Sequence, residues 1–150
     1  MKRIILRAAT ALFVSLFAVS MSAQWVDDTP AFHSAPPAKG EKLPAILRPD
    51  QVTGSGVQYA YQRHAYTLAA KVDKTLYQQP CYCHCDKGHG HTSLRSCFES
   101  AHGANCGICL KETYYTYQQA KKGKTAAQIR QGIMSKDYEN VNLETADQIQ

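Results

Sequence analysis

The sequence lacks the short motifs that mark common hydrolases and nucleotide-binding enzymes. It contains no Gly-x-Ser-x-Gly, no His-Glu-x-x-His and no phosphate-binding loop. The stretch that is rich in cysteine and histidine also holds no pair of carboxylates suited to general acid–base catalysis. These absences argue against a hydrolase, so the function has to be sought in the residues that are present.

The chain also has little net charge. Its formal charge is +5 over 150 residues, and three of the basic residues, Lys2, Arg3 and Arg7, lie at the extreme N-terminus. Without those three the excess is about +2, which is too small to predict a nucleic-acid partner.

No hydrophobic run is long enough to predict a stable membrane span. The longest covers residues 8–19, about a dozen residues, whereas a spanning helix needs about 20. Because the run follows three basic residues and precedes small residues, residues 1–23 are typical of a secretory signal peptide. The cleavage site stays open between Ser20, Ser22 and Ala23, and an uncleaved N-terminal anchor is the alternative. We expect export to the periplasm or cell envelope, with no stable membrane insertion after cleavage.

The next segment, residues 24–56, has little potential for regular structure. It holds five of the six prolines and ends in Thr-Gly-Ser-Gly, a composition typical of a linker or a poorly ordered mature N-terminus. We therefore divide the chain into a signal peptide (1–23), a linker (24–56), a Cys/His domain (57–137) and a polar C-terminal tail (138–150).

The Cys/His domain is predicted to be all-α, with three to four helices. Apolar residues recur at spacings of three and four over 57–78, and Pro80, two residues further on, ends the pattern. A short helix is predicted over 92–100, a third from Cys106 to 121 or 122 with Asn105 as its N-cap, and a last one over 125–135. A domain of about 80 residues is near the size at which hydrophobic burial alone is marginal.

All six cysteines lie between Cys81 and Cys109. Cys81, Cys83 and Cys85 alternate, and an extended backbone would place their side chains on one face, about 6.6 Å apart. That separation is near the upper limit for a disulfide, so the spacing favours capture of a soft metal ion or thiol exchange over an ordinary staple.

The second motif is Cys106-Gly-Ile-Cys109, which we expect at a helix N-terminus. Free N–H groups there lower the pKa of cysteine, as a redox dithiol requires, and the same spacing is a common pair of metal ligands. Cys106 and Cys109, joined by Cys83 and either Cys81 or Cys85, would make a four-thiolate site. Additional ligand candidates are His84, His89, His91, Cys97 and His102, although any one loop histidine is more commonly just exposed.

The stretch Pro80-Cys-Tyr-Cys-His-Cys85 resembles the PCYCGC, or CYCXC, family of exported bacterial proteins. The similarity covers roughly residues 57–137, and it continues through the motif His102-Gly-Ala-Asn-Cys-Gly-Ile-Cys109. Two features differ: His84 replaces the glycine of the PCYCGC form, and no cysteine precedes Cys81, so a lipobox is absent. Some members are lipoproteins and some are selenoproteins, and the resemblance thus implies a reactive chalcogen at the motif.

Three functions follow as hypotheses. The leading one is an exported protein that binds a soft or borderline metal ion, with Cu or Zn foremost, through Cys81, Cys83, Cys85, Cys106 and Cys109. The second is a thiol–disulfide oxidoreductase that uses Cys106 and Cys109, although no βαβ pattern surrounds them. The third is a disulfide-stapled structural domain, whose pairing the sequence leaves open. We expect a binding protein rather than an enzyme, with a metal-donor, metal-acceptor or redox partner in the cell envelope.

Overall fold

A computed structural model describes residues 28–150, which are helical and contain no strand. The all-α prediction is therefore confirmed. The α-helices are α1 (Ala60–Lys71), α2 (Asp73–Leu76), α3 (Cys85–His89), α4 (Gly107–Lys121) and α5 (Ala126–Met134). Short 3-10 helices cover Pro49–Gln51, Leu94–Phe98, Gly103–Asn105, Asp137–Asn140 and Leu143–Gln148.

The first helical stretch is shorter than predicted and is divided. α1 ends at Lys71, and Val72 separates it from the single turn of α2. The side chain of Gln62 fixes the start of α1, because its Oε1 accepts the N–H groups of Gln58 and Tyr59 at 2.7 and 2.8 Å. Its Nε2 donates to the carbonyl of Ala104 at 2.7 Å. One buried amide thus caps α1 and ties it to the segment that leads into α4.

Tyrosine rings fill the interface between α1 and α4. Tyr66 and Tyr114 are fully buried, and each hydroxyl reaches a backbone group at the edge of the core. Tyr66 donates to the carbonyl of Ser100 at 2.7 Å, and Tyr114 donates to that of Tyr61 at 2.8 Å. These rings therefore supply apolar area without leaving their hydroxyls unsatisfied.

The last α-helix agrees closely with its prediction. α5 begins after Thr125, whose hydroxyl accepts the N–H of Gln128 in a capping box. Ile129 and Ile133 are fully buried. The segment that follows, predicted as a polar tail, forms two 3-10 helices and buries three side chains against the body, those of Tyr138, Val141 and Ala146.

The proline-rich segment lies against the helices over its described part, residues 28–56. Arg95 is 4% exposed, forms ion pairs with Asp73 and Glu99, and donates to the carbonyl of Pro44 at 2.7 Å. The N–H of Leu47 donates to the carbonyl of Phe98 at 2.9 Å. Hydrogen bonds to the backbone groups of residues 28–56 thus hold this segment in place without regular secondary structure.

The predicted signal peptide, residues 1–23, lies outside the described residues, so its prediction stands untested. Among residues 28–150, no helix has the length and apolar character that a bilayer crossing requires.

Two glycines on either side of Cys106, Gly103 and Gly107, give a matched test of packing. An added Cβ at Gly103 would lie 2.8 Å from the backbone carbonyl oxygen of Cys97, so we expect Gly103→Ala to lower the free energy of unfolding by about 1–3 kcal/mol through overpacking. At Gly107 an added Cβ would meet no described atom within 4 Å, and Gly107→Ala should be neutral or slightly stabilising. Urea unfolding followed by circular dichroism measures both, and equal effects would contradict this packing.

Candidate metal centre

The Cys-x-Cys-x-Cys motif is a turn beyond Pro80, so the spacing of about 6.6 Å that an extended backbone would give does not apply. The N–H of His84 donates to the carbonyl of Cys81 at 3.0 Å. His84 then adopts a left-handed conformation, with φ 55° and ψ 39°, and α3 begins at Cys85. Because the chain reverses direction here, the three thiols lie much closer together than an extended strand would place them.

The second motif lies at the start of α4, as predicted, but the cap differs. Cys106, rather than Asn105, is the N-cap residue, and its sulfur accepts the N–H of Cys109 at 3.4 Å. Asn105 instead ends the preceding 3-10 helix and donates its side-chain amide to the carbonyl of Ala101 at 3.1 Å. A thiol thus occupies a position where an oxygen acceptor is usual, and the Cys106 sulfur lies beside the first turn of α4.

Four sulfurs from the two motifs form the first ligand group, which we call the sulfur quartet: Cys81, Cys83, Cys85 and Cys109. All four sulfurs lie within 4.8 Å of one another. The sulfurs of Cys81, Cys83 and Cys109 are 3.3–3.4 Å apart in all three pairings. In a tetrahedron with metal–sulfur bonds of 2.3 Å, sulfurs are about 3.8 Å apart. These thiols therefore need only small shifts to enclose one metal ion.

A second group, the mixed quartet, combines two sulfurs with two imidazoles: Cys85, His91, Cys97 and His102. Their ligand atoms also lie within 4.8 Å of one another. Cys85 Sγ is 3.0 Å from His102 Nε2, and His91 Nδ1 is 3.3 Å from Cys97 Sγ. The two quartets share Cys85, and the sulfurs of Cys81 and Cys97 are 3.8 Å apart. The cluster is therefore continuous.

The other predicted ligands lie around these two quartets. The exposed ring of His89 packs against the rings of His91 and His102, with centroids 5.7 and 4.4 Å away. His84 belongs to neither quartet; its Nε2 lies 3.6 Å from a carboxylate oxygen of Asp28. His64, which we expected to be structural, has its Nδ1 3.2 Å from the Tyr114 hydroxyl.

The six cysteines, all within the described part of the chain, are free thiols. Hydrogen bonds from Cys106, Cys109 and Cys81 lower the pKa of Cys83 well below its ordinary range. The hydrogen bonds that Cys109 makes to its neighbours raise its own pKa, and burial adds to the effect. In the metal-free cluster, neighbouring thiols therefore stabilise a first negative charge through their hydrogen bonds. Further deprotonation requires a cation to offset the repulsion between thiolates.

The imidazole side of the cluster has a different electrostatic character. Burial, followed by the neighbouring His102 and His89, lowers the pKa of His91. A neutral imidazole keeps a free lone pair, which is the form that coordinates a metal ion.

Sequence analysis missed Glu112, a buried carboxyl beside the cluster. Glu112 is 0% exposed, and its Oε1 accepts the N–H of Tyr82 at 2.8 Å, which holds the motif turn against α4. Oε2 has no hydrogen-bond partner among residues 28–150. Burial raises the pKa of this carboxyl to about 8. The available signal was spacing, since Glu112 follows Cys109 by three residues on one helix and so shares its face.

The chain matches a family model. The model described as "Protein of unknown function with PCYCGC motif" covers residues 55–147, more than half of the chain. The resemblance noted from the sequence is thus confirmed, and the match extends to the two C-terminal 3-10 helices. No curated protein and no solved structure matches the chain.

The left-handed conformation at position 84 predicts a stability difference between two variants. The PCYCGC form has glycine at this position, and glycine adopts φ 55° without the steric cost of a Cβ. We expect His84→Gly to be more stable to urea than His84→Ala by about 1 kcal/mol. Both variants lose the imidazole, so their difference isolates the backbone. Equal stability would contradict a left-handed residue at this turn.

The raised pKa of Glu112 predicts a dependence of stability on pH. The folded chain holds this proton until about pH 8, whereas the ordinary carboxyl pKa is 4.5. The stabilisation is therefore complete below pH 4.5 and is lost as the pH rises through about 8, with a slope of up to about 1.4 kcal/mol per pH unit.

Glu112→Gln keeps an acceptor for Tyr82 and removes the titration. We expect the free energy of unfolding of the wild-type protein, relative to that of Glu112→Gln, to fall between pH 5 and pH 8 in the reduced, metal-free state. Urea unfolding at a series of pH values measures this difference, in which thiol titrations common to both proteins largely cancel. A difference that stays constant with pH would contradict a buried, protonated Glu112.

Proposed function

The chain belongs to the PCYCGC-motif family, and we propose that in this member the Cys/His cluster binds a soft or borderline metal ion, namely Cu(I), Zn(II) or a heavy metal. The primary ligands would be Cys81, Cys83, Cys85 and Cys109, with Cys106 adjoining them. The observation that supports this most strongly is the convergence of four free sulfurs from two distant motifs within 4.8 Å of one another.

The donor types favour this class of ion over others. Thiolate and imidazole select Cu(I) and Zn(II), whereas Mg²⁺ and Ca²⁺ prefer oxygen ligands. Glu112, a carboxyl buried beside the cluster, directs Oε1 to a backbone N–H. A cation would also relieve the repulsion between closely spaced thiolates, so metal binding should release protons and stabilise the fold.

We further propose that the protein acts outside the cytoplasm. This rests on residues 1–23, whose basic start, short apolar run and small residues are typical of a secretory signal. In that setting the chain would receive the ion from, or pass it to, a partner protein of the cell envelope.

A second candidate function is thiol–disulfide exchange, which the short distances between thiols favour. The thiols of Cys83 and Cys109 lie 3.4 Å apart, and the lowered pKa of Cys83 makes it a nucleophile. In such a reaction the two thiols would give two electrons and two protons to the disulfide of a partner protein, which would become a dithiol. The metal proposal ranks first because it also gives the histidines a role.

The two proposals differ in a titration of the reduced, full mature chain under anaerobic conditions. We expect uptake of at least one equivalent of Zn(II) in competition with a chromogenic chelator, because a closed thiolate site fills stoichiometrically. Cys109→Ser should weaken binding at least about 100-fold, since changes outside the ligand shell alone cost 10–100-fold. His64→Ala removes an imidazole outside the cluster, and it should bind like the wild-type protein.

The same titration with Cu(I) ranks the two metals. If Zn(II) and Cu(I) each bind to reduced protein at less than about 0.1 equivalents, the metal proposal is overturned, because a closed site should fill to about one equivalent. If, in addition, a mild oxidant converted Cys83 and Cys109 reversibly into a disulfide, the exchange function would replace it.

A further inference from the structure

The four ligand atoms of the mixed quartet are suited to a metal site separate from the sulfur quartet. It draws on three segments: Cys85 at the start of α3, His91 and Cys97 from the loop and the 3-10 helix that follow, and His102 just before the 3-10 helix Gly103–Asn105. Two cysteine sulfurs and two imidazole nitrogens are a common ligand set for tetrahedral zinc. The two sulfur–nitrogen contacts within the quartet, Cys85 Sγ to His102 Nε2 at 3.0 Å and His91 Nδ1 to Cys97 Sγ at 3.3 Å, are near the separations that such a tetrahedron requires.

Cys85 is the one ligand atom that the two quartets share. Cys85 is 3% exposed. Its sulfur lies within 4.8 Å of the other three ligand atoms of the sulfur quartet and of the other three of the mixed quartet. A thiolate sulfur has enough lone pairs to bond two metal ions. With bonds of about 2.3 Å, two ions on one sulfur would be at most about 4.6 Å apart.

Charge favours two ions over one. The two quartets together contain five cysteines, four of which are nearly or fully buried. If all five ionised around a single divalent ion, three net negative charges would remain in a largely buried site. A second divalent ion leaves only one, which greatly reduces the cost of burial.

The mixed quartet is also the more accessible of the two. His91 and His102 are half-buried, and the exposed His89 packs against both rings. A surface cavity of about 340 Å³, lined in part by Pro44, Tyr77, His89 and His91, adjoins this side. An ion can therefore reach the mixed quartet from solvent, whereas three of the sulfur quartet's side chains are nearly or fully buried.

We propose that the cluster is a two-metal centre in which the Cys85 thiolate bridges an inner ion and an outer ion. Cys81, Cys83 and Cys109 complete the inner site, and His91, Cys97 and His102 complete the outer one. The inference rests on the proposed metal-binding function, which it extends from one ion to two. The accessible outer site is the one from which an ion exchanges.

Zinc stoichiometry and cobalt spectroscopy on the full mature chain test this proposal. We expect two equivalents of Zn(II) for the wild-type protein and one for the double variant His91→Ala/His102→Ala. The double variant His33→Ala/His64→Ala loses two imidazoles outside the quartets and should keep two. One equivalent in the wild-type protein, or two in His91→Ala/His102→Ala, would overturn the two-metal centre and leave the proposed function standing. No uptake at all would overturn both.

Cobalt(II) gives a readout that does not depend on how well the variants fold. With two equivalents bound to the wild-type chain, a bridging thiolate couples the unpaired electrons of the two cobalt ions. The magnetic moment per ion should then be lower than that of a single, isolated cobalt ion. Unchanged moments at two equivalents would overturn the bridge. The first equivalent should show strong sulfur-to-cobalt charge-transfer absorption if the sulfur quartet fills first.

Discussion

The mutual proximity of thiols that are not bonded to one another is the constraint on which this molecule depends. Three sulfurs lie 3.3–3.4 Å apart. This is farther than the 2.05 Å of a disulfide bond and close to the sulfur–sulfur distance of about 3.8 Å in a tetrahedral metal site. Once more than one of them ionises, like charges repel across this distance, and only a cation, a proton or a covalent bond relieves the repulsion. The arrangement therefore has chemical consequences whichever partner it meets.

The rest of the fold holds these sulfurs in place from several directions. The left-handed residue His84 turns the first motif back on itself, and the carboxyl group of Glu112 holds that turn against α4 by accepting the N–H of Tyr82. Cys106 caps α4 and so fixes the position of Cys109 in its first turn. On the far side, the Gln62 amide and the Tyr66 hydroxyl each bond Ala104, which places the segment leading into α4. Hydrogen bonds between residues far apart in the sequence thus position the sulfurs.

Much of the helical framework could be predicted from the sequence because periodicity and capping residues are local signals. The last helix was predicted to within a residue at each end from its apolar face, and the structure adds a capping box between Thr125 and Gln128. The break at Val72 was missed, because the apolar pattern runs through it without interruption. The separation estimated for the alternating cysteines was also wrong, because it assumed an extended backbone. Alternating cysteines suggest a strand, and nothing in their spacing reveals that His84 would adopt a positive φ.

The candidate ligands could be named from the sequence, but their grouping could not. Spacing identifies Cys81, Cys83, Cys85 and Cys109 as candidates, whereas the division into two quartets that share Cys85 depends on how α3 and the following loop fold back. Cys97 and His102 were only additional candidates because each lies alone in its local sequence. Glu112 was missed since a single glutamate on a helix usually faces solvent.

The most direct test of the central claim is a joint count of bound metal and free thiols on protein purified anaerobically from its native compartment. The account predicts at least about one equivalent of a thiophilic metal per chain, six free thiols of which those of Cys81, Cys83, Cys85 and Cys109 become reactive only after the metal is removed, and no disulfide. Fully bridged, unreactive cysteines with less than about 0.1 equivalents of metal would contradict it, and would leave the cluster as a set of structural staples.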